Sequence, residues 1–155
     1  MDDYLKPYGD IELQRRMVSD RPRTNAFGAA IREVVQPGDV VLDVGTGTGI
    51  LAMFAAKAGA RRVYGIDATD IAEVATDLVK ANGLSDQIQV IHGRAGEAQL
   101  DQKVDLIIRE WLGSAAFVEG MLHAVLNARD QSLAPTGRML PSRGRVLIAP
   151  LDDPI

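Results

Sequence analysis

Glu110 and Glu119 stand nine positions apart, the first closing the apolar run Val104-Asp-Leu-Ile-Ile108 and followed by Trp111-Leu112-Gly113. A carboxylate at the end of a buried strand sits where helix-covered sheets bind ligands. A second one on the following loop-to-helix segment can fold back to face it. Two carboxylates suit a planar cation, because a guanidinium presents a fork of N–H donors that pairs with them bidentately. A guanidinium stays protonated near neutral pH and is a poor nucleophile. The pair would hold one terminal nitrogen in line with an electrophilic carbon and draw positive charge toward the other nitrogens. Such a displacement is driven by positioning and electrostatics and needs no metal. Taken alone, Glu119 reads as an acid stabilised by the dipole at a helix N-terminus.

A second constellation precedes it. Val40 to Val44 is an apolar run that ends in Asp43-Val-Gly45-Thr-Gly47-Thr-Gly49. Glycines permit a sharp turn and close approach of a ligand, and the next helix offers its free N–H groups there. A dinucleotide site spaces its glycines G-x-G-x-x-G, whereas here Ile50 stands where that third glycine belongs. G-x-G-x-G after an acid is the usual form in methyltransferases that use S-adenosylmethionine (SAM). SAM carries a positive amino group and a sulfonium, so an acidic Asp43 makes electrostatic sense. The plainer reading is of turn glycines alone. Asp67, at the end of a second strand, can accept from ribose hydroxyls. Gly93-Arg-Ala95-Gly96-Glu97 ends the third strand, where adenine usually lies; Glu97 either accepts from its amino group or faces water.

These residues need a scaffold. The sequence predicts a short amphipathic helix to about Asp20, with Ile11, Leu13 and Met17 apolar, and a second helix from Pro22 to Val35, ended by Pro37-Gly38. Strands are predicted at 40–44, 62–66, 87–92, 104–108 and near 138–140, with helices over 50–58, 71–81 and 117–132. Arg143 to Pro150 reads as one more strand. Strand–helix alternation at this spacing means right-handed βαβ units, giving an α/β Rossmann-like fold with a mostly parallel sheet and helices on both faces. Its domains divide into N-terminal helices (1–36) closing over the ligands, a core (37–142) and a terminal strand or the start of a barrel (143–155).

The chain has 155 residues, one compact domain's worth, with a net charge of −4 and no cysteine. The charge argues against a broad grip on nucleic acid. The absence of cysteine excludes disulfides and thiolate metal sites. The N-terminus lacks a signal peptide's regions and no apolar run approaches the roughly 20 residues of a membrane span, so a cytoplasmic protein is expected.

Asp20-Arg-Pro-Arg23-Thr24, Val41 to Leu51, Met53 to Ala60, Glu110 to Gly113 and Glu119-Gly-Met-Leu122 resemble the protein arginine methyltransferases. The glycine turn is generic, but the glutamate loop with its tryptophan and spacing is specific. The resemblance implies SAM as cofactor and an arginine guanidino group, in protein or a small molecule, as substrate. It implies that Arg23 pairs with the SAM carboxylate and that Tyr4 and Tyr8 close over the ligands. Met17 would lie beside the reactive methyl, with Glu110 and Glu119 clamping the guanidinium. Asp43, Gly45, Gly47, Gly49, Asp67, Ala95 and Glu97 complete the expected cofactor site.

Several positions depart from the family pattern. Gly96 replaces an adenine-binding glutamate, Ser114 a tyrosine, Leu5 a phenylalanine, Arg109 a small residue and Asp67 a glutamate. Aromatic residues usual just before Glu119 are missing, which makes the substrate pocket less aromatic. The family continues into a β-barrel bearing a Thr-His-Trp motif and a dimerisation arm. An excised domain, one half of a split protein, or a minimal relative all fit that difference. Two other readings stand beside arginine methylation: a small-molecule methyltransferase with a different nucleophile, and a SAM-binding half that needs a partner chain or a homodimer for activity.

Overall fold

The computed structural model describes residues 6–110, 122–145 and 147–148. A 3-10 turn, Lys6–Gly9, leads to α1 (Ile11–Ser19) and α2 (Arg21–Val34). Aspartates start both helices. Asp10 accepts from the Glu12 and Leu13 amides at 2.8 and 3.0 Å, and Asp20 accepts from the Arg23 amide at 3.3 Å. Of the apolar residues expected on α1, Leu13 and Met17 line the cleft while Ile11 is 63% exposed, and Gln14 is the buried residue. This helix covers the cleft at the strand ends rather than the core, and the cleft decides which residues are hidden.

The alternation that follows is β1 (Val40–Val44), α3 (Ile50–Lys57), β2 (Arg62–Asp67), α4 (Ile71–Ala81), β3 (Ile88–His92), β4 (Val104–Arg109), α5 (Leu122–Ser132) and β5 (Leu133–Leu140). The strands form one parallel sheet in the order β3-β2-β1-β4-β5. The order reverses beside β1, between β2 and β4, which is the place where such sheets open a crevice.

Period-two alternation sends side chains to two cores. Val41, Val63, Leu106 and Ile108 pack with Ile31 of α2 and Ala52, Ala55 and Ala56 of α3. Val40, Leu42, Val44, Tyr64, Ile66 and Ile107 pack with Val125 and Ala128 of α5. Each fully buried Val, Leu or Ile stabilises the fold by roughly 1.5–3 kcal/mol before entropy is counted. The run Val40 to Val44 is buried throughout, as a strand covered on both faces requires.

Two sequence expectations change. Pro135-Thr136-Gly137 does not precede β5 but sits inside it. The strand pairs at Val104–Leu133, bulges, and resumes at Leu106–Arg138, and the bulge accommodates a proline that cannot donate to the ladder. The strand expected over 143–150 is not formed by its described residues: 143–145 and 147–148 pair with no strand. Leu147 and Ile148 are 88% and 92% exposed. A strand needs an edge to pair with, and this segment leaves the sheet after β5. The part of the predicted helix from Phe117 to Met121 lies outside the described residues.

Candidate active site

The carboxyl ends of β1, β2, β3 and β4 open into one cleft of about 750 Å³, roofed by α1 and α2 and flanked by α5. That volume falls in the ordinary range for small-molecule sites, roughly 300–1,000 Å³.

The floor is the glycine turn. Gly45, Gly47 and Gly49 have φ of 73°, 54° and 80°, a region L side chains enter at a cost. The amides of Gly45 and Thr46 both donate to the Ile66 carbonyl at 2.9 Å, fastening the turn to β2. Asp43 lies behind it, 1% exposed. Its Oδ2 accepts from Thr46 Oγ1 at 2.7 Å and from the Ala52 amide at 3.1 Å. Its Oδ1 is buried without a partner among the described residues. Burial pushes the carboxyl up to about 7, against the lowering effect of those two bonds and with a further push from the charge of Asp67.

Asp67 closes β2 at the cleft wall. Its Oδ2 accepts from the Gly47 amide at 2.9 Å, and its Oδ1 accepts from the amide and hydroxyl of Thr69 at 3.0 and 2.8 Å. The acid is thereby aimed and held. Ala95 and Glu97, on the turn after β3, line the same cleft, Ala95 buried and Glu97 exposed.

The roof carries Tyr8, Gln14, Met17 and Arg23. Gln14 donates to the Tyr8 carbonyl at 2.8 Å. Arg23 donates to the Met17 carbonyl at 2.8 Å and to Glu110 Oε2 at 2.9 Å. The side chains of this ion pair keep 33% and 25% of their exposure. Glu110, at the end of β4, thus already holds a guanidinium. Arg109 does not compete for it, since its side chain reaches the Pro141 carbonyl at 3.4 Å. Successive residues of a strand point to opposite faces. Burial lowers the pKa of the Arg109 guanidinium.

Of the expected residues, Met17, Tyr8, Arg23, Gly45, Gly47, Asp67, Ala95, Glu97 and Glu110 share the cleft wall. Asp43 and Gly49 do not line it; they shape the turn from behind. Glu119 and Tyr4 lie outside the described residues. Sequence reasoning missed Gln14, Thr46 and Gly65. Gln14 left a signal, a polar residue within the stripe from Leu13 to Met17. Gly65 left none: a Cβ there would fall 2.8 Å from Thr46 Oγ1, and only the packed turn shows that contact. No cluster of metal-binding side chains occurs among the described residues.

A glycine turn after the first strand of a doubly wound sheet, backed by one acid and bordered by another, is the architecture of the Rossmann-like methyltransferases. Residues 22–134 match the family model described as Ribosomal protein L11 methyltransferase (PrmA), which places the chain in that class. Relatives match across the N-terminal helices as well. Protein arginine N-methyltransferase 6 of Danio rerio is 43% identical over 97% of this chain and 44% of its own length. The solved protein arginine methyltransferase 10 of Arabidopsis thaliana superposes with a TM-score of 0.84 at 44% identity, over 88% of this chain and 40% of that one. The Trypanosoma brucei PRMT1 enzyme–prozyme heterotetrameric complex with AdoHcy gives a TM-score of 0.81 at 45% identity, over 85% of this chain and 42% of that one. The chain belongs to the protein arginine methyltransferase family. It spans between 35% and 45% of the length of the curated relatives it matches.

Proposed function

We propose that this chain is the cofactor-binding part of a SAM-dependent arginine N-methyltransferase acting on guanidino groups of protein. The observation that carries the reading is the Arg23–Glu110 contact at 2.9 Å in the cleft wall. A carboxylate placed at the rim of a nucleoside-sized cleft has the shape and charge to receive a guanidinium.

The residues present fit SAM. Gly45 and Gly47 permit close approach, and Asp43, held behind the turn by Thr46 and the Ala52 amide, fixes the shape of that floor. Asp67 faces ribose hydroxyls, and Ala95 and Glu97 border the base. Bound SAM would supply a methyl group on a positively charged sulfur. Arg23 takes the cofactor carboxylate, and in doing so releases Glu110 to a substrate guanidinium. Met17 and Tyr8 close over both from α1 and the turn before it. Glu119 completes the clamp in this reading on the strength of the sequence alone. A cytoplasmic location and a protein substrate belong to the same proposal; among the described residues no helix is long and apolar enough to cross a membrane.

Calorimetry with S-adenosylhomocysteine (SAH) and labelled methyl transfer to an arginine-rich peptide test it. Glu110→Gln should keep SAH affinity within about threefold while transfer falls by roughly 10²–10³, the usual effect of removing one charge-stabilising group. A fully active variant removes the clamp. Binding of SAH without transfer to any guanidine would favour a second reading, a cofactor module completed by further chain or by a partner.

A further inference from the structure

The base end of the cleft holds a pair of residues that the reading above leaves unused. After β3 the chain turns tightly, the amides of Glu97 and Ala98 both donating to the Arg94 carbonyl at 2.9 and 3.1 Å. This turn faces α5. A Cβ on Gly96 would stand 3.2 Å from Asn127 Cβ and 3.4 Å from Asn127 Nδ2. The Asn127 side chain therefore lies directly over the bare Gly96 backbone, and a larger residue at 96 would have to displace it. Both residues line the cleft, next to Ala95. Among the described residues no hydrogen bond involves the Asn127 carboxamide, so its donor and acceptor are both available to a ligand.

We infer that Asn127 reads the purine amino edge of the cofactor. An amide presents a C=O acceptor and an N–H donor in one plane. That pair complements the adjacent amino donor and ring-nitrogen acceptor of adenine, the geometry by which asparagine selects adenine elsewhere. Glu97, by contrast, offers acceptors only, so it takes the amino hydrogen but repels the ring nitrogen. At the edge formed by the 6-substituent and N7, a 6-oxo purine presents two acceptors, so in either orientation the amide oxygen of Asn127 faces an acceptor, and Asn127 is the side chain positioned to discriminate against it. The inference rests on the SAM reading and narrows it to one specificity-determining contact.

The test compares SAH with S-inosylhomocysteine, its 6-oxo counterpart, by calorimetry on the full chain. The wild-type chain should prefer SAH by tenfold or more. Asn127→Ala and the volume-conserving Asn127→Leu should each weaken SAH about tenfold and leave the inosine analogue unchanged, so the preference collapses. Melting curves check that both variants fold, as an exposed helix position allows. An unaltered preference in both variants, or equal affinity of the wild-type chain for the two ligands, overturns the inference and leaves the SAM reading standing. Binding of neither ligand by folded wild-type chain overturns the SAM reading itself.

Discussion

Asp43 shows how a residue's position changes its chemistry. An exposed aspartate ionises near 3.8, but this one is buried behind the glycine turn and stays protonated up to about 7. The unfolded chain loses the proton first, so between those values the folded state binds more protons. Stability then falls as pH rises from about 4 to about 7, and is level outside that window. The separation corresponds to at most about 4 kcal/mol. An Asp43→Asn variant keeps an acceptor for Thr46 and Ala52 and cannot ionise. The difference in melting temperature, wild type minus variant, should therefore decline across that pH range. A flat difference would mean that Asp43 is ionised throughout. The position of Glu110 at the end of β4 was recognisable from the sequence, and Glu110 lines the cleft. The partner that Glu110 holds here was not, because Arg23 is 87 residues away in the chain.

At the scale of elements, the glycine turn and α1 depend on each other. Gly47 has φ of +54°, and a Cβ there would stand 2.7 Å from Gln14 Oε1. Gly47→Ala combines backbone strain of roughly 1–2 kcal/mol with a collision against the roof helix. Its SAH affinity should fall more than tenfold, measured by calorimetry. Adding Gln14→Ala removes the collision and leaves the strain, so the double variant should regain part of the loss. No recovery would place the whole effect in the backbone. The strands and helices themselves were readable from local pattern, since Val40 to Val44 is an apolar run, α3 is apolar nearly all round and α4 carries periodic apolar residues. The bulge in β5 was not readable: Pro135 and Gly137 signal a turn by themselves, and only pairing with β4 on both sides of them makes them part of a strand.

At the scale of the molecule, the two N-terminal helices differ in what they hold. Ile31 of α2 is wholly buried in the core beside α3 and β1, whereas α1 contributes Gln14, Met17 and other roof residues to the cleft. Removing residues 1–20 should leave a cooperatively melting core with its circular dichroism largely intact, and weaken SAH binding at least tenfold. Removing residues 1–35 should abolish cooperative melting, because a core face loses its cover. Equal SAH affinity after the shorter truncation would exclude α1 from the site.

The sequence alone determined the order of strands and helices, the glycine turn and the acids at the strand ends. Those features arise from neighbouring residues, through periodicity, turn chemistry and spacing. The tertiary structure decided which face of α1 is hidden, that Asp43 is buried and stays protonated up to about 7, that Arg23 meets Glu110, and that Asn127 stands over Gly96. Each of these depends on groups far apart in the chain that only packing brings within a few ångströms.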